Sequence, residues 1–181
     1  ALPIFGWVAA NHTGVAYFYG ELSRHTAKAC PRILDITRRV IACLRCQSPF
    51  TMKFKKINGE SELRVWTDAS LRRQGLAGVG RAGYIIQYVG KDDPLSSTHN
   101  MISWGSSVDK RIHPSTSSAE ISALLIGLKA AVPLVKIIRA ITRQDVRLNV
   151  YIDAQVVAHQ ISTGKATTNA RSEEHSLNSS H

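Results

Sequence analysis

The sequence predicts an α/β domain built on a central mixed sheet and preceded by a basic helical arm. Three observations lead there. Runs at 62–67, 80–89 and 100–107 read as strands separated by loop signals, the pattern of a three-strand antiparallel meander. An apolar stripe at helical spacing then fills 117–142. A further alternating run at 146–152 follows, and a strand reached through a crossover helix pairs parallel in the same sheet.

The arm spans residues 1–60. Aromatic and aliphatic residues dominate 15–24, and Ile33, Ile36, Val40, Ile41 and Leu44 recur at helical spacing, with Arg32, Arg38, Arg39 and Arg45 on other faces. Pro31 suits a first helical turn, where its missing N–H is not needed. The run from Phe50 to Ile57 alternates like a half-buried strand, and Asn58-Gly59 is a turn signal. The arm holds nine Lys and Arg against three Asp and Glu, a net +6.

The domain proper spans 61–161. Gly75, Gly78, Gly80 and Gly83 are expected to loosen the first connection, and 91–97 to form a surface loop. In the second strand Tyr84, Ile86 and Tyr88 alternate against Ile85 and Gln87. Trp66 and Trp104 are expected in the core. In the helix, Ile121, Leu124, Leu125, Leu128, Val132, Val135 and Ile138 form the stripe; Ser117 or Ser118 is the expected cap, Glu120 falls in the first turn, and Pro133 should kink or split the element. Val146, Leu148, Val150 and Ile152 share one face of the last strand, and a short helix follows at 155–161. A polar tail occupies 162–181.

At 181 residues and 44% hydrophobic, the composition is that of a folded domain. No apolar run is expected to reach the roughly 20 residues of a membrane helix. The net charge of +10 favours a polyanionic partner, nucleic acid before an acidic membrane surface, with a basic domain that has no such partner as the plain alternative. Cys30, Cys43 and Cys46 make an odd count with no second pair for a zinc site; Cys43 and Cys46, within a helical pattern, read as small buried thiols. A reducing intracellular compartment is expected, whether mitochondrial matrix, cytoplasm or nucleus. The first residue, Ala1, suggests a processed or partial chain. His113, His159 and His175 stand alone, without metal-ligand spacing.

Three acids carry the chemistry. Asp68 ends one strand run, Asp153 ends another, and Glu120 lies near the start of the long helix. Two carboxylates at strand ends and one at a helix start can converge on one point, where they repel unless a divalent cation lies between them. Taken singly, each acid has a plain reading as a strand stop or a helix-dipole complement. Arg24, Arg38, Arg39, Lys53, Lys55 and Lys56 are candidates for tracking a phosphate backbone, against the plain reading of a solvated face.

The order of these motifs resembles the ribonuclease H domain, with the end of the reverse transcriptase, of copia-type retrotransposon polyproteins. Asp68 stands in T-D-A, Glu120 in S-T-x-x-A-E-x-x-A-L, and Asp153 in Y-x-D-x-Q. Ile102-Ser103-Trp104-Gly105-Ser106-Ser107 resembles that family's I-S-W-S-S-K strand. Leu22-Ser23-Arg24 resembles its L-S-R, the segment 38–45 its K-R-V-L-R-Y-L-K, and Asn169-Ala170-Arg171-Ser172 with His175 its A-R-T-K-H. The resemblance runs from about residue 7 to about residue 175. It implies a ribonuclease H-like fold and a two-metal Mg²⁺ site that hydrolyses the RNA strand of RNA–DNA hybrids. In such a site Asp68 bridges both ions, Glu120 holds one and Asp153 the other, with the ions roughly 3.5–4 Å apart.

There are departures. His12-Thr13-Gly14-Val15-Ala16-Tyr17 omits part of the family's H-T-R-P-D-I-A-Y loop, and Ala154 replaces the Asn or Ser that usually follows the third acid. The family continues into a fifth strand and an A-D-x-x-T-K helix with a fourth acid, which no residue up to His181 matches. Weak or absent hydrolysis is therefore expected. The leading reading is an RNA-binding subunit of a ribonucleoprotein such as a ribosome, of retrotransposon origin, with other protein chains covering the open sheet edge and no membrane. The alternative is an active Mg²⁺-dependent ribonuclease H.

Overall fold

Four strands form one sheet in the order β3-β2-β1-β4: β1 Ser61–Gln74, β2 Ala77–Gly90, β3 Met101–His113 and β4 Val146–Ile152. A computed structural model describes residues 13–23, 30–46, 52–74 and 77–164. β1 pairs antiparallel with β2, β2 antiparallel with β3, and β1 parallel with β4. The crossover between β3 and β4 is helix α3, Thr116–Thr142, and α4, Gln155–Thr163, follows β4. The expected mixed sheet is thus present, with β1 in its interior.

The core lies between α3 and one face of the sheet. Leu63, Val65, Ile86 and Val146 pack against Ala131 and Val135, with Tyr84, Tyr88, Leu148 and Val150 around them. Small residues on α3 let the helix approach closely. At Gly127 an added Cβ would lie 2.5 Å from Thr67 Cγ2 and 3.2 Å from Val65 Cγ1. Gly127→Ala is therefore expected to destabilise the domain. Overpacking costs about 1–3 kcal/mol and the helix-propensity gain returns up to ~1, leaving a net loss of up to roughly 2 kcal/mol. A lower urea midpoint at unchanged m-value is the readout; an unchanged midpoint would mean that helix and sheet pack more loosely than these distances say.

Two further helices, α1 Thr13–Ser23 and α2 Pro31–Cys46, form a second small core from Val15, Leu22 and Val40, with Tyr19, Ile33, Ile36 and Leu44. Pro31 is the first residue of α2, as expected. The stripe Ile33–Ile36–Val40–Leu44 turns inward, which leaves Cys43 and Cys46 on the outer faces. All three cysteines are exposed, contrary to the expectation of buried thiols.

Other expectations are corrected. The run expected as a strand near 50–57 is not one over its described residues, 52–57. Asn100 holds it instead: its N–H donates to the Lys53 carbonyl (3.1 Å), its side-chain amide donates to the Lys55 carbonyl (2.8 Å), and its Oδ1 accepts from the Lys55 N–H. Phe54 is 66% exposed, so the alternation buries no face. Gly78, Gly80 and Gly83 lie inside β2 and not in a loop. The α3 cap is Ser115, whose hydroxyl accepts from the Ser118 N–H at 3.2 Å, so Glu120 falls beyond the first turn. α3 runs through Pro133 as one element; Pro133 and Lys129 are exposed, so solvent can reach the carbonyl that Pro133 leaves without its donor. α3 is also long and apolar enough to cross a membrane by length and composition, contrary to the sequence expectation. Here its inner face is packed on the sheet. Arg24 and the tail from 165 onward, with His175, lie outside the described residues.

Candidate metal centre

The parallel register between β1 and β4 builds the site. Its last aligned pair is Thr67 and Ile152, so Asp68 and Asp153 each follow by one residue at the point where β4 ends. β1 continues to Gln74, and the backbone N–H of Ala69 donates to the carboxylate of Glu120 from α3. One ligand atom from each of Asp68, Glu120 and Asp153 lies within 4.8 Å of the others. The three residues singled out in the sequence thus meet at one point.

Glu120 is buried at 6% exposure, and its Oε2 has no hydrogen-bond partner among the described residues. Burial first, then the charges of Asp153 and Asp68, push its pKa up to about 7, against the pull of the Ala69 N–H. A buried carboxylate oxygen with no partner among the described residues, facing two exposed carboxylates, is suited to a cation. Three carboxylates and no nitrogen or sulfur make a hard donor set, which fits Mg²⁺ or a cation like it.

A pH dependence follows. Glu120 is raised above its ordinary 4.5 to about 7. Between those values the folded chain holds a proton that the unfolded chain does not, so metal-free stability falls as pH rises through this window. A cation must displace that proton. Affinity for Mg²⁺ is therefore expected to climb with pH up to about 7 and then level off. Calorimetric titration at about pH 6 in two buffers of different ionisation enthalpy should detect proton release, and at about pH 8 should not. Equal release at both would remove Glu120 from the site.

The start of α3 is anchored by a group of residues not identified from the sequence. Between the pairs Arg81↔Val108 and Val79↔Ile112, β3 carries Asp109, Lys110 and Arg111 opposite Gly80 alone. This bulge folds Asp109 back beside His113, with Oδ2 3.1 Å from Nε2 but out of line for a hydrogen bond. Ser122 Oγ donates to Asp109 Oδ2, and His113 Nδ1 lies 3.2 Å from Ser118 Oγ. Glu120 lies between the two serines in sequence. Burial acts to raise the Asp109 pKa, but the Ser122 hydroxyl, the Arg111 N–H and the His113 and Arg111 side chains hold it below the usual range. Gly80 makes room, since a Cβ there would lie 3.0 Å from the His113 ring. His113, which stands alone in the sequence, is thus part of the support for the acidic site.

The basic candidates are less uniform. Arg38, Lys53 and Lys56 are exposed. Arg39 pairs with Asp35 at 2.9 Å and Lys55 with Asp93 at 2.6 Å. Trp66 and Trp104, expected in the core, are half-buried and line a cavity of about 590 Å³ with Asp68 and Asp153 at its edge.

No known family pattern matches this chain, and no curated protein matches it. Among solved structures, the ribonuclease H1 of the halophilic archaeon Halobacterium salinarum NRC-1 aligns with 60% of this chain and 66% of its own length, at 18% identity and a TM-score of 0.39. This chain thus spans just under two thirds of that enzyme. The sheet order, the parallel β1–β4 pair and the placement of the acids make the fold ribonuclease H-like.

Proposed function

We propose that this chain is a divalent-cation-dependent nuclease of ribonuclease H type that acts on the RNA strand of RNA–DNA hybrids. The observation that carries the reading is the convergence of Asp68, Glu120 and Asp153 around a buried carboxylate oxygen without a partner among the described residues. These residues would hold Mg²⁺, which supplies Lewis-acid activation of water and stabilises the leaving oxygen. The chain's own part is to fix three carboxylates in place before substrate arrives. The Ala69 N–H orients Glu120, and the β3 bulge holds the helix that carries it. The exposed cations Arg38, Lys53 and Lys56 contribute attraction for phosphate, as does the net +10. The ordered motifs support an origin in a copia-type retrotransposon. Three exposed thiols suit a reducing intracellular compartment.

The sequence favours an inactive RNA-binding subunit of a ribonucleoprotein. The acidic geometry favours the enzyme, because a carboxylate whose pKa is pushed up to about 7 by burial and by Asp153 and Asp68 destabilises the chain at neutral pH unless a cation offsets it. Incubating the chain with Mg²⁺ and an RNA–DNA hybrid decides between them. Cleavage of the RNA strand that disappears in Asp68→Asn supports the enzyme; hybrid binding without cleavage supports the binding subunit instead.

A further inference from the structure

On the sheet face away from α3, one row of side chains crosses all four strands. The registers align Tyr151 with Trp66, Trp66 with Ile85, and Ile85 with Trp104. Trp66 and Tyr151 stack, with ring centroids 4.3 Å apart and planes at 18°. The Trp66 indole N–H donates to Gln87 Oε1 at 3.0 Å, which fixes its ring. Tyr17 of α1 lines the opposite side and lies beneath the Arg81 guanidinium, 4.8 Å from its ring centroid. The volume of this open cavity, about 590 Å³, falls within the range typical of small-ligand sites, roughly 300–1,000 Å³.

We propose that this cavity receives a single unstacked nucleobase, whose adjoining phosphate lies at the acidic centre. The proposal rests on the reading of that centre as a cation site for nucleic acid, and it adds a second, sequence-tolerant contact. The chemistry of the walls selects the occupant. Trp66, Tyr151 and Trp104 line the cavity with aromatic rings, which suit another flat ring, and every base presents such a face. A cation held by Asp68 and Asp153, which line one part of the cavity, would bind phosphate there, so a ligand that joins a flat ring to a phosphate would satisfy both. An aliphatic protein segment would fill the volume but would leave the acidic lip without a complement. A single-stranded nucleotide should therefore bind where a fully paired one cannot enter.

The test compares three probes on the full chain in the presence of Mg²⁺: a single-stranded tetranucleotide, the same tetranucleotide with abasic sugars, and a blunt RNA–DNA hybrid. Stacking is worth about 1–3 kcal/mol per base on truncation, or about a 5- to 150-fold change in affinity. Tyr151→Ala is expected to weaken the tetranucleotide by that factor, Tyr151→Phe to leave it unchanged, and abasic binding to be insensitive to both. Tyr151→Leu keeps bulk on the floor without the ring and should match Tyr151→Ala, which separates lost stacking from lost folding. Equal affinity for abasic and normal tetranucleotides, or no effect of Tyr151→Leu, overturns the proposal. The Mg²⁺-dependent melting shift, measured on the same samples, reports on the acidic centre separately. A shift without base dependence leaves the metal reading intact and removes this one. Base-dependent binding without a shift removes the metal reading, and with it the placement of the phosphate at the acidic centre.

Discussion

Asp68→Asn is expected to abolish the stabilisation of this chain by Mg²⁺ while leaving the metal-free protein at least as stable as the parent at about pH 8. The carboxylate of Asp68 lies within 4.8 Å of those of Glu120 and Asp153. Removing its charge removes one of the contributions that, after burial and the charge of Asp153, push the Glu120 pKa up to about 7. The metal-free site therefore relaxes, and Glu120 ionises more readily. The same change deletes an anionic ligand from a site that has only three among the described residues. Binding linkage gives the scale: a cation at one hundred times its dissociation constant stabilises the parent by about 2.7 kcal/mol. That increment should be absent in the variant. Thermal melts with Mg²⁺ and with a chelator measure it, and a variant that keeps the full shift would show that the cation binds elsewhere. Hydrolysis of a hybrid, where the parent shows it, should be lost together with the shift.

The acidic site could be read from the sequence because its geometry depends on features that sequence displays. β4 ends at Ile152 as its alternation implies. But β1 runs on to Gln74, so Asp68 lies within its strand rather than at its expected end, and the limit of the parallel register is what sets it beside Asp153. Asp68 and Asp153 each follow the last residue of the shared register by one position. The helix carrying Glu120 was legible from its stripe, although its start was not. Ser115 caps it ahead of the other serines, all of which have the right chemistry.

The supports of the site were hidden for the same physical reason that they work. Within a regular strand Asp109 and His113 would stand about 13 Å apart. The bulge in β3 brings them together, and Gly80 permits it. Glycines at 78, 80 and 83 suggested a loop because glycine weakens strands, yet here long pairing on both sides holds them in β2. Trp66 suggested core because its run is apolar. Among the described residues, the loop 91–100 covers one end of the face it occupies, and Ala16 and Tyr17 of α1 line the cavity at the end near the acids.

That covered end carries the largest expected effect on stability. Arg64 is 2% exposed near the start of β1. Its Nε donates to Glu62, and its Nη1 and Nη2 donate to the carbonyls of Pro94 (2.8 Å) and Asp93 (2.6 Å). Glu62 is itself buried and accepts from Asn149 Nδ2 on β4 at 2.6 Å. One guanidinium thus ties the loop to β1 and neutralises a carboxylate that bridges to β4. In Arg64→Met the apolar stem is kept, but Glu62 is left as a buried charge without its cation and two loop carbonyls lose their donors. Breaking a buried pair from one side costs about 3–5 kcal/mol, a large share of the roughly 5–15 kcal/mol that holds a typical domain together. Chemical denaturation should show a loss on that scale at neutral pH. The second change Glu62→Gln removes the stranded charge and should recover part of it in the double variant. If Arg64→Met alone is neutral, solvent reaches Glu62 in solution, and the loop 91–100 is held by Asn100 and the Lys55–Asp93 pair rather than by the arginine.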